Sequence, residues 1–110
     1  MFDPGKDWLP MGSVVRMSEA QRLVMVAGYM PIDGASGRAW DYAGYPYPEG
    51  KQDPSEVFFD RADIAEIFQM GFCDAEGMAF IARLEVSEAE YQRERKRREE
   101  LQAPDAEGSL

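Results

Sequence analysis

The sequence predicts an α+β domain: a small, strongly twisted antiparallel sheet of four to five strands, short enough to curl toward a barrel, followed by a C-terminal helix. Three observations carry this expectation. Blocks rich in Val, Tyr and Met at strand spacing come first, over residues 13–29 and again after Arg38. Extended helical periodicity is confined to the region beyond Asp74. The two kinds of block do not alternate, as βαβ units would. With 110 residues, 45% of them apolar and 30% charged, the chain suits one ordinary globular domain.

Taken in order, residues 1–8 read as a flexible lead-in, 9–86 as the α+β domain, 87–102 as a charged helix and 103–110 as a disordered tail. Leu9-Pro10-Met11-Gly12 opens the first strand, Ser13–Met17, because Pro10 has no amide to donate and Gly12 relaxes the backbone. Val15 and Met17 share one face of it; Val14 and Arg16 share the other. After a polar connection, Arg22–Tyr29 is apolar at nearly every position. That pattern predicts a central strand, antiparallel to the first and covered on both faces.

Pro31 ends this strand, and Asp33-Gly34 with Gly37 supplies the turn chemistry. A third strand is expected over Arg38–Tyr42. Gly44-Tyr45-Pro46-Tyr47-Pro48-Glu49-Gly50 then reads as an ordered turn or aromatic-decorated loop, since its two prolines block helix and central strand alike. Asp53-Pro54 begins another loop, and Val57-Phe58-Phe59 brings apolar mass to the core. Asp60–Asp63 suits one helical turn with Asp60 as N-cap. Ile64, Ile67 and Phe68 fit a helix, but Phe68, Met70 and Phe72 alternate, and a strand at 66–72 is preferred.

Asp74 caps a helix expected to pack through Met78, Ile81 and Leu84, with Gly77 its weak point at about 1 kcal/mol. Ser87-Glu88-Ala89-Glu90 has the spacing of a capping box. Either a second helix starts there or one long helix bends.

Composition excludes several functions. Against 12 Lys and Arg stand 21 Asp and Glu, a net charge of -9. Such a surface disfavours duplex nucleic acid and anionic membranes, which need cations to release counterions. There is no histidine, and Cys73 is the single cysteine, so the common zinc sites are ruled out. Cys73 precedes Asp74, whose carboxylate raises a thiol pKa, the opposite of what a nucleophile needs. No cationic leader precedes an apolar run, and the longest apolar stretch is Leu23–Ala27; a soluble, cytoplasmic protein is expected.

Two constellations remain. Asp60, Asp63 and Glu66 lie at i, i+3 and i+6, where a helix would gather their carboxylates for a divalent cation. The alternating ligands and central glycine of a calcium loop are missing, so capping and solvation weigh more than a metal-dependent enzyme. No cofactor and no catalytic set are expected. The second is aromatic: Trp40, Tyr42, Tyr45 and Tyr47 fall within eight residues, with Glu49 beside them. Aromatics on stiff backbone give large contact area at low entropic cost, which suits a partner surface. Trp40 and Tyr42 would share one strand face, where a core role is favoured over contact with a partner, while Tyr45 and Tyr47 ride on the proline-stiffened loop. Arg93–Arg98 carries five of the 12 basic residues and is interleaved with glutamates, so Glu94–Arg98 and Arg95–Glu99 pairs are available. Arg95 and Arg98 are the candidates there for docking an acidic partner.

Leu9 through Val15, Leu23 through Tyr29, Asp41-Tyr42-Ala43-Gly44, Tyr47-Pro48-Glu49-Gly50, Phe58-Phe59, Asp63-Ile64, Ile67 and Gly71-Phe72 occur in the order and spacing of a known set. Over residues 9–84 the chain resembles domain-of-unknown-function family 4176, a group of small bacterial proteins. It departs from the pattern in the first hairpin, which lacks the expected glycines and lysines, and in its arginine-rich end. Such proteins resemble products encoded beside toxins of the type VII (LXG) secretion system. The resemblance implies an accessory, adaptor or chaperone-like protein-binding role for a secreted toxin client, and carries over no catalytic residue. The alternative is an immunity-type inhibitor whose acidic surface covers a basic toxin site.

Overall fold

Strand pairing starts with a hairpin of β1 (Val14–Met17) and β2 (Leu23–Tyr29), in which Val15 lies opposite Val24. The computed structural model describes residues 1–52 and 56–102. The elements that follow are β3 (Tyr42–Tyr47), β4 (Val57–Phe59), a 3-10 turn at Arg61–Asp63, β5 (Ile64–Gln69), α1 (Ala75–Val86) and α2 (Glu88–Gln102). The five strands form one antiparallel sheet in the order β4-β3-β2-β1-β5. Because β5 returns beside β1, it and β4 lie at opposite edges. The sheet is open rather than barrel-like. The loop at Asp53-Pro54 and the tail at 103–110 lie outside the described residues.

The third strand is not where the composition put it. Arg38–Asp41 contributes only an isolated bridge, Ala39 to Ile32, and β3 instead runs through Tyr45-Pro46-Tyr47, the segment expected as a loop. β4 pairs only with Tyr42, Ala43 and Gly44. Beyond Gly44 the outer edge of β3 faces no strand among the described residues, so the amide that Pro46 lacks breaks no ladder there. Gly44 itself is required: a Cβ there would lie 2.5 Å from the Met25 carbonyl oxygen. β5 begins at Ile64 and ends at Gln69, earlier than the expected 66–72. Bulged pairing with β1 turns both Ile64 and Ile67 toward the core.

One face of the sheet is buried. Val15, Val24, Val26, Tyr42 and Phe59 meet Leu84 of α1 and Tyr91 of α2. The other face of β2, with Leu23 and Met25, is only half-buried, so the strand is not covered on both sides. Trp8, assigned by sequence to a flexible lead-in, is 2% exposed. Its ring packs edge-on to Tyr42 at 5.5 Å and Tyr29 at 6.0 Å. The next residue is fastened by two hydrogen bonds: the Leu9 amide donates to the Tyr42 hydroxyl (2.7 Å) and the Tyr29 hydroxyl donates to the Leu9 carbonyl (2.6 Å).

Asp74 caps α1 as expected, its carboxylate accepting from the Gly77 amide at 2.9 Å. Leu84 is buried and Ile81 partly so, but Met78 is 64% exposed and does not pack. The inward arc of α1 is set by Gly77, Phe80, Ile81 and Leu84, and Met78 lies beyond it. Ser87 separates two helices, which settles the choice left open by the sequence. It sits at φ -85°, ψ 0°, a helical conformation rather than the extended one an N-cap needs, so the expected capping box does not form. Glu88 turns instead to Arg61 and Trp8.

Candidate functional site

Period-2 alternation sorts the aromatics of β3. Tyr42 points into the core, 0% exposed, whereas Tyr45 and Tyr47 point to the opposite face. There the cross-strand register builds two rows: Val14, Met25 and Tyr45 side by side, then Arg16, Leu23 and Tyr47. A third pair, Ala43 with Phe58, extends the face toward the β4 edge. Phe58 stacks on Trp40 (6.5 Å between centroids), and the Arg38 guanidinium lies 3.7 Å over the Trp40 ring. Both helices pack on the core face, and among the described residues no element covers these rows.

Charged groups rim the surface. Arg22 pairs with Glu49, holding that carboxyl below its usual range, and Arg16 Nε contacts Glu66 at 3.2 Å. Tyr47 is 49% exposed; Leu23, Met25, Tyr45, Trp40 and Phe58 are half-buried against one another. The result is a largely apolar sheet surface with one strongly projecting aromatic side chain.

The structure therefore divides the expected partner-binding residues. Trp40, Tyr45, Tyr47 and Glu49 lie on or at the rim of this face. Tyr42, Arg95 and Arg98 do not. Tyr42 is a core residue that holds Leu9, and burial pushes its phenol well above the ordinary range. Arg95 is 13% exposed at its side chain and contacts Asp41 and Asp60, each at 3.0 Å. The Arg95–Glu99 pair is thus replaced by two tertiary contacts. Arg98 does form the expected contact with Glu94 (2.9 Å), and its Nη1 donates to the Gly37 carbonyl at 3.1 Å. Both arginines fasten α2 to the domain, leaving little to offer an acidic partner.

Asp41 is the hub of that fastening. It is 3% exposed and accepts from the Arg61 amide, Arg61 Nε, the Tyr91 hydroxyl and Arg95. Arg61 also reaches Glu88 (2.8 Å) and the Lys6 carbonyl, and lies 3.9 Å over the Trp8 ring. Burial alone would lower its pKa, but the carboxylates of Glu88 and Asp41 outweigh this and raise it. Burial and the acceptor Asp41 likewise push the Tyr91 phenol up.

The carboxylates proposed for a cation are not gathered. Asp60 faces Arg38 and Arg95, Asp63 accepts from the Asp60 amide, and Glu66 pairs with Arg16 on a strand. Among the described residues no group of three His, Cys, Asp or Glu side chains is placed to hold a metal. Cys73 is half-buried beside Tyr29, whose phenol is pushed up to about 12 by burial and by that thiol.

Leu23, Met25 and Phe58 belong to the open face and went unrecognised in the sequence. Their apolar character suits a buried core equally well, and only the register shows which side they take.

Among the described residues no helix is long and apolar enough to cross a membrane. Neither a curated protein nor a solved structure matches the chain. Residues 8–80 do match a family, described as Domain of unknown function (DUF4176). That stretch holds the whole sheet, the buried Trp8 and the first half of α1, and stops short of α2. By this match, which spans well over half its length, the chain belongs to the DUF4176 family.

Proposed function

We propose that this protein is a non-catalytic binding module that receives a polypeptide client on the open face of its sheet. In this reading it serves in the cytoplasm as an adaptor or chaperone-like accessory of a secreted LXG-type toxin. The observation that carries the proposal is the pair of rows Val14–Met25–Tyr45 and Arg16–Leu23–Tyr47, with nothing packed over them among the described residues. Tyr and Trp are enriched in interface hot spots because they bury large rigid surface while keeping a polar handle. The net charge of -9 favours a basic client and speeds its encounter.

The test is titration calorimetry of the purified chain against a basic segment of an LXG-type toxin, repeated with Tyr47→Ala. A hot-spot tyrosine contributes about 2 kcal/mol, so affinity should fall roughly thirty-fold while the unfolding temperature stays put. Unchanged affinity, or loss of folding along with binding, would refute the role given to this face. Co-expression separates the inhibitor alternative: an accessory raises toxin recovery and export, whereas an inhibitor relieves toxicity without aiding either.

A further inference from the structure

The two edges of the sheet, β4 and β5, are not alike. An edge strand displays unpaired N–H and C=O groups, and only another extended backbone can satisfy them along its whole length. β4 is three residues long, and brevity is itself a guard against such pairing. β5 has six residues and neither lysine nor proline among them. Its guard is a pair of bulges, at which Ala65 and Phe68 face no residue of β1. Ala65, Glu66, Phe68 and Gln69 are all exposed, so among the described residues no helix or loop lies over this edge. The Ile64 amide donates to the Arg61 carbonyl, and the strand pairing of β5 is with β1 alone.

The side chains along this edge indicate its occupant. Phe68, Met70 and Phe72 alternate along the chain and are 54%, 47% and 83% exposed. Phe72 also bounds a cleft of about 610 Å³ with Met11, Tyr29 and Phe80, where the chain leaves β5 for α1. From Ala62 to Ala82 the chain carries four carboxylates, Asp63, Glu66, Asp74 and Glu76, and no Lys or Arg. Glu66 pairs with Arg16; the other three form no ion pair with another described residue. We infer that β5 receives an extended, basic segment of another polypeptide as a sixth strand, with apolar side chains alternating along it. Main-chain hydrogen bonds would hold it, and Phe68, Met70 and the cleft would select its side chains. A second copy lacks the charge for this place: two β5 edges would bring together only carboxylates, and each chain has a net charge of -9. β1 and β2 separate this edge from Tyr47 on β3, so the two surfaces are tested independently.

The probe is a labelled synthetic peptide of alternating Val and Lys, followed on the full chain by fluorescence anisotropy and hydrogen exchange. With peptide bound, amides of β5 should gain protection and those of β4 should not. Placing Pro-Pro at the centre of the peptide removes donors from both of its edges and should abolish binding, as should replacing every Lys by Glu. Ala65→Arg, at an exposed bulge position, should weaken binding of the Val–Lys peptide about ten-fold or more, with the urea midpoint unchanged. If that variant does not fold, the two altered peptides decide the matter. No protection at millimolar peptide, protection at β4 instead of β5, retained binding of the Pro-Pro peptide or equal binding of the Glu peptide would each overturn the proposal. So would loss of the β5 protection in Tyr47→Ala, which would place the peptide on the open face. A dimer of the free chain broken by Ala65→Arg would overturn it too, since the occupant would then be a second copy.

Discussion

Asp41→Ala is the sharpest probe of how this domain holds its last helix. The carboxylate is 3% exposed and accepts four hydrogen bonds, from the Arg61 amide at 2.8 Å, Arg61 Nε at 3.0 Å, the Tyr91 hydroxyl at 2.7 Å and Arg95 at 3.0 Å. Removing it leaves two largely buried guanidinium groups short of an anion. Breaking one side of a buried ion pair costs about 3–5 kcal/mol. Arg61 keeps Glu88 and Arg95 keeps Asp60, which argues for the lower end, about 3 kcal/mol. A domain of this size has roughly 5–15 kcal/mol in all, and loses about 4 °C in unfolding temperature per kcal/mol. The expected fall is therefore about 12 °C. Urea unfolding gives the free energy, and hydrogen exchange locates it: amides of α2 should lose protection before those of β2. A loss under about 1 kcal/mol with α2 still protected would refute the reasoning. It would mean that desolvating these ions cancels what their pairing contributes.

Three further expectations follow from single atoms. Gly71→Ala places a Cβ 2.0 Å from the Met11 carbonyl oxygen and 2.8 Å from the Ser13 amide nitrogen, both backbone, so no rotamer relieves the clash. A loss of about 3 kcal/mol or more, or no soluble product, is expected, and a wild-type urea midpoint would contradict it. Tyr42→Phe keeps the ring but leaves the buried Leu9 amide without its acceptor; chemical denaturation should show a cost of about 1–3 kcal/mol with the fold retained. For Glu88, burial pushes the carboxyl up, but the hydrogen bonds from Arg61 outweigh this and hold it below its ordinary 4.5. A depressed folded-state pKa contributes stability that is complete above the unfolded value and is lost as pH falls through the folded one. Stability should thus decline on acidification below 4.5, and Glu88→Gln should flatten that limb. An unchanged acid limb in pH-dependent thermal unfolding would exclude this linkage.

What could be read from the chain was the kind of element more than its placement. The β1–β2 hairpin, the Asp74 cap and the helical end all follow from local patterns that tertiary packing leaves intact. The third strand was displaced because proline was judged without knowing how short β4 is. Pro46 is forbidden between two partners and harmless past the end of one. The faces were harder still. Trp40 and Tyr42 looked like one pair and Tyr45 and Tyr47 like another, yet strand alternation from Tyr42 onward puts Tyr42 alone in the core. Trp8 carried no periodic signal, because its burial depends on Tyr42, Tyr29 and Tyr91, which come from β3, β2 and α2.

The same separation explains why Arg95 misled. An arginine in a run of eight charged residues reads as solvated, since its neighbours in sequence offer i,i+4 partners worth only about 0.2–0.5 kcal/mol each. The anions it meets, Asp41 and Asp60, lie in the stretch that matches the family, whereas Glu88, Tyr91 and Arg95 lie beyond residue 80. Between Tyr91 and Leu101, α2 has no apolar side chain, and Leu101 is itself 71% exposed. Past Tyr91 the helix is therefore held to the domain by directed charge contacts, Arg95 on Asp41 and Asp60 and Arg98 on the Gly37 carbonyl, with almost no hydrophobic burial. Such contacts fix orientation sharply and resist salt only as far as they are buried. The inner part, around Asp41, should stay docked under conditions that release the outer turns. α2 then belongs to the domain's structure through its first two turns, and behaves as a surface helix beyond them.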